Sequence, residues 1–202
     1  MRLLATRYAP ATLSTIIRQR AHEWQRTATR PFAEGTADTA LEAYVGHGRT
    51  HAHDTTEQAK RALVDTWARD RVSSPDTTTL ILAFRRRDVR ALNELARAVR
   101  RDCGELGRDH VLRTRDGERK FAVGERCIFL KNSRALGVKN GTLGSIEAIR
   151  GTELVVRLDD QRQVAFDTLT YNAIDHGYAS TIHKSQGSTV HRTYVLASRY
   201  MD

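Results

Sequence analysis

The apolar positions follow three different patterns along the chain, and each predicts a different kind of element. Residues 11–17 (ATLSTII) form a short apolar segment running into Arg18-Gln19-Arg20, and helical spacing continues past Trp24 to about residue 33. Gly35 breaks this helix and a second one restarts around 41–45, followed by a loop over 46–54. Asp54 with Glu57 three residues later is a capping pattern, in which a side-chain oxygen satisfies the free N–H groups of a first turn. Ala59, Ala62, Leu63 and Trp67 then recur at helical spacing until Ser73-Ser74-Pro75 stops them. Trp24 and Trp67 read as core residues.

A second pattern starts at Thr79. Leu80-Ile81-Leu82-Ala83-Phe84 is a continuous apolar run of strand length, as expected for a strand covered on both faces. Asp88 is placed to cap a following helix that carries Val89, Leu92, Leu95, Ala96 and Val99 on one side. A buried strand feeding an amphipathic helix is the signature of a mostly parallel α/β sheet, whose ligands sit at the carboxyl ends of the strands. Arg85-Arg86-Arg87 occupies that edge, where three cations oppose the helix dipole and so favour a functional reason for their presence.

The third pattern covers about 118–170. Short β-like runs at 121–130, 143–149, 154–158 and 164–166 are separated by turn signals at Asn140-Gly141, Arg150-Gly151 and Asp159-Asp160. Several short strands in so few residues predict a small barrel. Beyond it, a polar stretch precedes a further core strand at 193–197. One α/β domain interrupted by a small β-barrel is the economical architecture.

Charge changes this picture by suggesting a partner. The 202 residues carry 33 Lys and Arg against 24 Asp and Glu, a net of +9, and 28 of the 33 are arginine. Residues 79–121 alone hold twelve basic and seven acidic side chains. Arginine's planar fork suits phosphate, so the excess points to a polyanion, although an arginine-rich coding bias would produce the same totals. No apolar run approaches membrane-spanning length, and the N-terminal stretch is too arginine-interrupted for a secretory leader. Cys103 and Cys127 form neither a metal spacing nor a disulfide framework, which fits a cytoplasmic protein. His47, His51 and His53 are spaced H-x3-H-x-H in a loop, and no metal is assigned to them.

The most chemically loaded stretch is Thr181-Ile182-His183-Lys184-Ser185-Gln186-Gly187-Ser188-Thr189, which gathers hydroxyls, an imidazole, an ammonium, an amide and a glycine after a strand. These groups suit phosphate and sugar contacts. The string resembles a motif of RecD-like superfamily-one DNA helicases. Leu13–Arg20 with Trp24-Gln25-Arg26 is similar to the Arg-Gln motif of those enzymes, and 80–93 (LILAFRRRDVRALN) to their next strand–helix element. Residues 121–146, with Val138-Lys139-Asn140-Gly141-Thr142-Leu143-Gly144, resemble the SH3-like barrel inserted in their second motor domain. The similarity covers essentially the whole chain, in order, and is greatest to the helicase part of TraA-type conjugal-transfer relaxases.

The resemblance implies a RecA-like second motor domain of the P-loop-NTPase type with an inserted SH3-like β-barrel. Residues 1–78 would be a helical lead-in, 79–117 with 171–202 the motor domain, and 118–170 the barrel. It implies Arg18 as the arginine finger reaching the γ-phosphate of ATP, with Gln186 and Gly187 at the nucleotide edge. Thr181, His183 and Lys184 would face single-stranded DNA, together with Arg86, Arg87, Lys139 and Asn140. His191 departs from the acidic residue usual in related sequences. No Gly-Lys and no Asp-Glu dipeptide occurs, so the phosphate-binding loop and the Mg²⁺ carboxylates would come from an N-terminal motor domain as partner. The chain would begin after those elements and stop before a final arginine-bearing motif. Three classes stay open: half of a helicase motor, an ATP-independent nucleic-acid-binding module, and an inert truncated fragment. Without the lysine and the Mg²⁺ ligands, the purified chain is expected to show no DNA-stimulated ATP hydrolysis in a phosphate-release assay.

Overall fold

A computed structural model describes residues 23–185 and 188–197. The expected apolar segment at 11–17 and Arg18, Gln186 and Gly187 lie outside the described residues. The chain divides into two compact units, residues 1–52 and 53–202. In the first, helices α1 (Glu23–Glu34) and α2 (Ala37–Gly46) are joined through Gly35, whose φ of +80° suits a residue without Cβ. Trp24 is half-buried here: it packs edge-on to Tyr44 and lies flat on His47, with ring centroids 4.0 Å apart.

The second unit begins with α3 (Thr56–Ser73), and its cap sits one residue later than the sequence pattern suggests. Thr55 Oγ1 accepts the Gln58 N–H and Gln58 Oε1 accepts the Thr55 N–H, both at 3.2 Å. Glu57 instead accepts a hydrogen bond from Lys60 Nζ at 2.8 Å. Val64 and Trp67 are buried against a three-stranded parallel sheet in the order β10-β1-β9, formed by β1 (Thr79–Ala83), β9 (Ala179–Thr181) and β10 (Arg192–Leu196). The continuous apolar run is covered on both faces, as expected. Ile81 and Ala83 join Val64, Trp67, Leu92 and Ala96 on one side. Leu80 joins Ile128, Leu130, Leu143 and Ala173 on the other. Phe84, the last residue of the run, falls beyond the strand and is 42% exposed.

Helix α4 (Arg86–Asp102) follows β1 with Arg85 at its N-cap, so Asp88 lies inside the first turn rather than at the cap. Its carboxylate is buried and pairs with the equally buried Lys60 at 2.9 Å, which fastens α3 to the start of α4. His191, where the resemblance gives an acidic residue, meets the residue before β1: its Nδ1 accepts the Thr78 N–H at 3.3 Å.

A hairpin of β2 (His110–Thr114) and β3 (Gly117–Phe121) leads into a five-stranded antiparallel sheet, order β7-β6-β5-β4-β8. Its strands are β4 (Arg126–Phe129), β5 (Leu143–Arg150), β6 (Glu153–Leu158), β7 (Gln163–Asp167) and β8 (Ile174–His176). The expected closed barrel is not formed: β7 and β8 are unpaired edges of an open sheet. On edge strand β8 the side chains turn to the β2–β3 hairpin, where Asp175 pairs with Arg119 at 3.5 Å and His176 Nε2 meets the Lys120 carbonyl at 2.8 Å. Asn140 also keeps a negative φ, and Gly141 alone in that turn is left-handed, at +88°.

Between the two sheets lies Glu125, which is fully buried. Its Oε1 accepts from Tyr178 Oη at 2.6 Å and its Oε2 from Arg97 Nε at 2.8 Å. Arg100 donates to the Gly124 carbonyl and to Glu105, each at 2.8 Å, and Arg71 also donates to Glu105. Burial alone would raise the Glu105 carboxyl, but hydrogen bonds from Arg71 and Arg100 outweigh it and hold the group below its ordinary value. Burial and then the Glu125 charge push the Tyr178 hydroxyl up, so it stays a donor. Truncating one partner of a buried ion pair strands the other's charge, at a cost of about 3–5 kcal/mol. Glu125→Ala is therefore expected to lower the free energy of unfolding, measured by urea titration, by an amount in that range, with Glu153→Ala on the exposed surface as the near-neutral control.

Candidate nucleic-acid interface

Because β1 and β9 run parallel, the segments that follow them emerge at the same edge of the sheet. Ala83 pairs with Thr181, and the Ile182 N–H reaches the Ala83 carbonyl at 3.3 Å. Phe84 and the first turn of α4 leave this edge from β1, and Ile182-His183-Lys184-Ser185 leaves it from β9. The second segment turns at once, with the Ser185 N–H on the Thr181 carbonyl at 3.0 Å and Ser185 Oγ donating to the Ile182 carbonyl at 2.8 Å. Thr181 Oγ1 accepts the Lys184 N–H at 3.3 Å, so this hydroxyl orients the lysine's backbone. His183 is exposed and Lys184 half-buried.

Asn93 fixes where that segment starts. From the buried side of α4, its Oδ1 accepts the N–H groups of Tyr178 (3.1 Å) and Ala179 (2.8 Å), and its Nδ2 donates to the Ala179 carbonyl (3.1 Å). A buried amide with its oxygen doubly occupied and a donor in use is a strong specifier of one register.

The turn between β4 and β5 approaches from the other sheet. Lys139 and Asn140 are exposed at its tip, while Gly141 is buried with its carbonyl accepting from Ser188 Oγ at 3.0 Å. The structure thus brings the Lys139–Asn140 turn beside the stretch that holds Thr181, His183 and Lys184. Arg86 and Arg87 are exposed on the first turn of α4, at the same sheet edge.

Not every arginine of the basic stretch faces solvent. Arg97 bridges Glu125 and Asp109, Arg100 is bound to Glu105, and Arg101 also pairs with Asp109. Arg97 and Arg100 are internal ties and Arg101, although exposed, is also paired, so the excess over 79–121 overstates the free positive surface available to a polyanion. Arg86, Arg87 and Arg90 remain exposed on the first two turns of α4.

Sequence reasoning missed Phe84 and Asn93 here, and the partner of Ser188. Phe84 reads as core because it ends an apolar run, although its position directly before three arginines is a signal for an exposed aromatic. Asn93 carries no signal, and Ser188 is visible only as one hydroxyl of the loaded stretch without its partner, since the partners lie 86 and 47 positions away. The histidine pattern resolves differently: His47 Nδ1 contacts the Ala43 carbonyl at 2.8 Å and its ring stacks on Trp24. Among the described residues no group of three or more His, Cys, Asp or Glu is placed to hold a metal ion. Burial pushes the Cys127 thiol up to about 12, which makes it a packing residue. No helix among them is long and apolar enough to cross a membrane.

No family model matches the chain. Over 204 aligned residues it is 43% identical to conjugal transfer protein TraA of Rhizobium radiobacter, 44% to that of Agrobacterium fabrum (strain C58) and 41% to the probable TraA of Sinorhizobium fredii. Each alignment takes in 100% of this chain and 18% of the relative, so the chain spans about a fifth of the length of the curated relatives it matches. Among solved structures, Pif1 helicase from Bacteroides in complex with ADP-AlF3 and ssDNA superposes with a TM-score of 0.57. At 21% identity, over 94% of this chain and 46% of that one, the likeness is one of fold. The chain is a homologue of one segment of the TraA conjugal transfer proteins, built on a mixed α/β fold shared with the Pif1 helicase from Bacteroides.

Proposed function

We propose that the chain is the second motor domain of an ATP-dependent DNA helicase of conjugal transfer. In this reading it holds single-stranded DNA across the carboxyl edge of its parallel sheet and completes a nucleotide site begun by another domain. The observation that carries the reading is the meeting of two polar segments from different sheets at one edge, the Lys139–Asn140 turn and the loop of His183 and Lys184. Exposed Arg86 and Arg87 flank that edge. Backbone phosphates carry most of the affinity for nucleic acid, and cations at fixed spacing meet them without base preference. Phe84, exposed beside those cations, is suited to stack a base, and such stacking is sequence-tolerant.

The open five-stranded lobe takes the place that the resemblance gives to the SH3-like insertion. For the nucleotide, the proposed roles stay with Arg18, Gln186 and Gly187. The donor set fits charge completion rather than metal binding: it has arginines and amides, and among the described residues no acidic cluster is placed for Mg²⁺. ATP and Mg²⁺ would therefore be held mainly by an N-terminal motor domain that carries the phosphate-binding loop. Arg18 would neutralise charge developing on the transferred phosphoryl group, a role worth about 10³–10⁵ in rate.

Two measurements test this. Titrating a labelled oligothymidine against salt should give a steep loss of affinity, with Lys184→Ala reducing the slope by about 0.7. An affinity independent of salt, or an unchanged slope, overturns the DNA-binding face. In the enzyme assembled with its first motor domain, Arg18→Ala should lower kcat far more than it weakens ATP binding. Equal losses in both would instead assign Arg18 to ground-state binding.

A further inference from the structure

The contact between the two polar segments has a specific chemical form. Ser188 Oγ donates to the Gly141 carbonyl at 3.0 Å. A Cβ on Gly141 would lie 3.1 Å from both the Lys184 carbonyl and Ser188 Oγ, and φ there is +88°. Glycine is thus favoured twice at this position, by the left-handed backbone and by the tight approach of the other segment. The turn is held from its own lobe as well: the Gly141 N–H reaches the Phe129 carbonyl at 2.8 Å and the Asn140 N–H reaches Asn132 Oδ1 at 2.8 Å. The Lys139 N–H is bound by Thr142 Oγ1 at 3.0 Å. Every backbone N–H of the Lys139–Gly141 tip is therefore occupied, while the side chains of Lys139 and Asn140 project into solvent.

We propose that Ser188 and Gly141 form a clip that positions the Lys139–Asn140 turn against the Lys184 segment, so that one nucleic-acid strand is gripped by both sheets at once. The proposal rests on reading this edge as a nucleic-acid interface. Ser188 touches no phosphate in this account; it is a positioning residue that acts through Lys139. Two cations on separate lobes engage a strand most effectively when their spacing is already set, because binding the second then costs little ordering. A hydroxyl donor at 188 and a glycine at 141 set it. The clip also explains why an Asn-Gly turn is used where only the glycine takes a positive φ. The second residue serves a tertiary approach rather than a two-residue hairpin.

The test uses the full chain and two independent readouts. The first is amide hydrogen exchange. Ser188→Ala should speed exchange over 139–142 and leave 80–83 in β1 protected, while Ser188→Thr, which keeps the hydroxyl, should match the parent. Unchanged exchange over 139–142, or loss of protection in β1 as well, overturns the clip. The second is the salt dependence of oligothymidine binding. In the parent, Lys139→Ala should lower the slope by about 0.7. With Ser188→Ala already present, Lys139→Ala should change nothing further, whereas Lys184→Ala should still remove about 0.7. An equal increment for Lys139→Ala in both backgrounds refutes the coupling. If the parent shows no salt-dependent binding at all, the nucleic-acid reading falls and the gripping role with it, while the exchange data still decide whether the clip holds the turn.

Discussion

A single buried carboxylate, Glu125, governs how the two sheets of the larger unit meet. It is fully enclosed, and its two oxygens are taken by Tyr178 and Arg97. Glu125 stands immediately before β4, Tyr178 immediately before β9, and Arg97 at the middle of α4. One charge therefore ties together the point where the chain enters the five-stranded sheet, the point where it has just left it, and the helix packed on the parallel sheet. Removing a buried charge's partner is far more costly than losing an exposed pair, so any other docking of the sheets would leave an uncompensated ion. Arg100, on the Gly124 carbonyl and on Glu105, reinforces the same joint.

The arginines divide into two populations that composition cannot separate. Those on the inner side of α4 neutralise buried or half-buried carboxylates and define the architecture. Those on its first turns face solvent, and no helix benefits from cations at its amino end. Asp88 in the same turn offsets part of that penalty, yet it is buried and paired with Lys60. The arrangement keeps a positive edge on the outside while its counter-charge is held in the interior, which suits a surface that meets an anion.

The TraA relatives and the shared helicase fold give this edge a setting, and the chemistry of the edge gives the homology a mechanism to be tested. Parallel sheets collect their functional loops at the carboxyl ends of strands because every strand in the sheet finishes there. Here two of the three strands deliver chemically loaded segments to that edge, and an antiparallel lobe adds a third by way of a glycine that lets two backbones approach.

Much of the local structure was legible from residue order alone. The helices over 56–73 and 86–102, the buried strand at 79–83 and the short strands beyond 126 follow from apolar spacing, because burial of one face or two imposes a period that a linear sequence records. The loaded stretch after β9 and the turn at Asn140-Gly141 were likewise visible as polar signals. Tertiary structure decided the rest. It left the small sheet open, with β7 and β8 as its two edges and the Asp175 and His176 side chains turned to the β2–β3 hairpin. It moved the α3 cap to Thr55, and it put Phe84 outside the core. It also joined Asn93 to Tyr178 and Ala179, and Ser188 to Gly141, across dozens of intervening residues. Such pairings depend on distance in space and on which hydrogen-bonding groups remain unsatisfied after the helices and strands have formed, and neither quantity has a period along the chain.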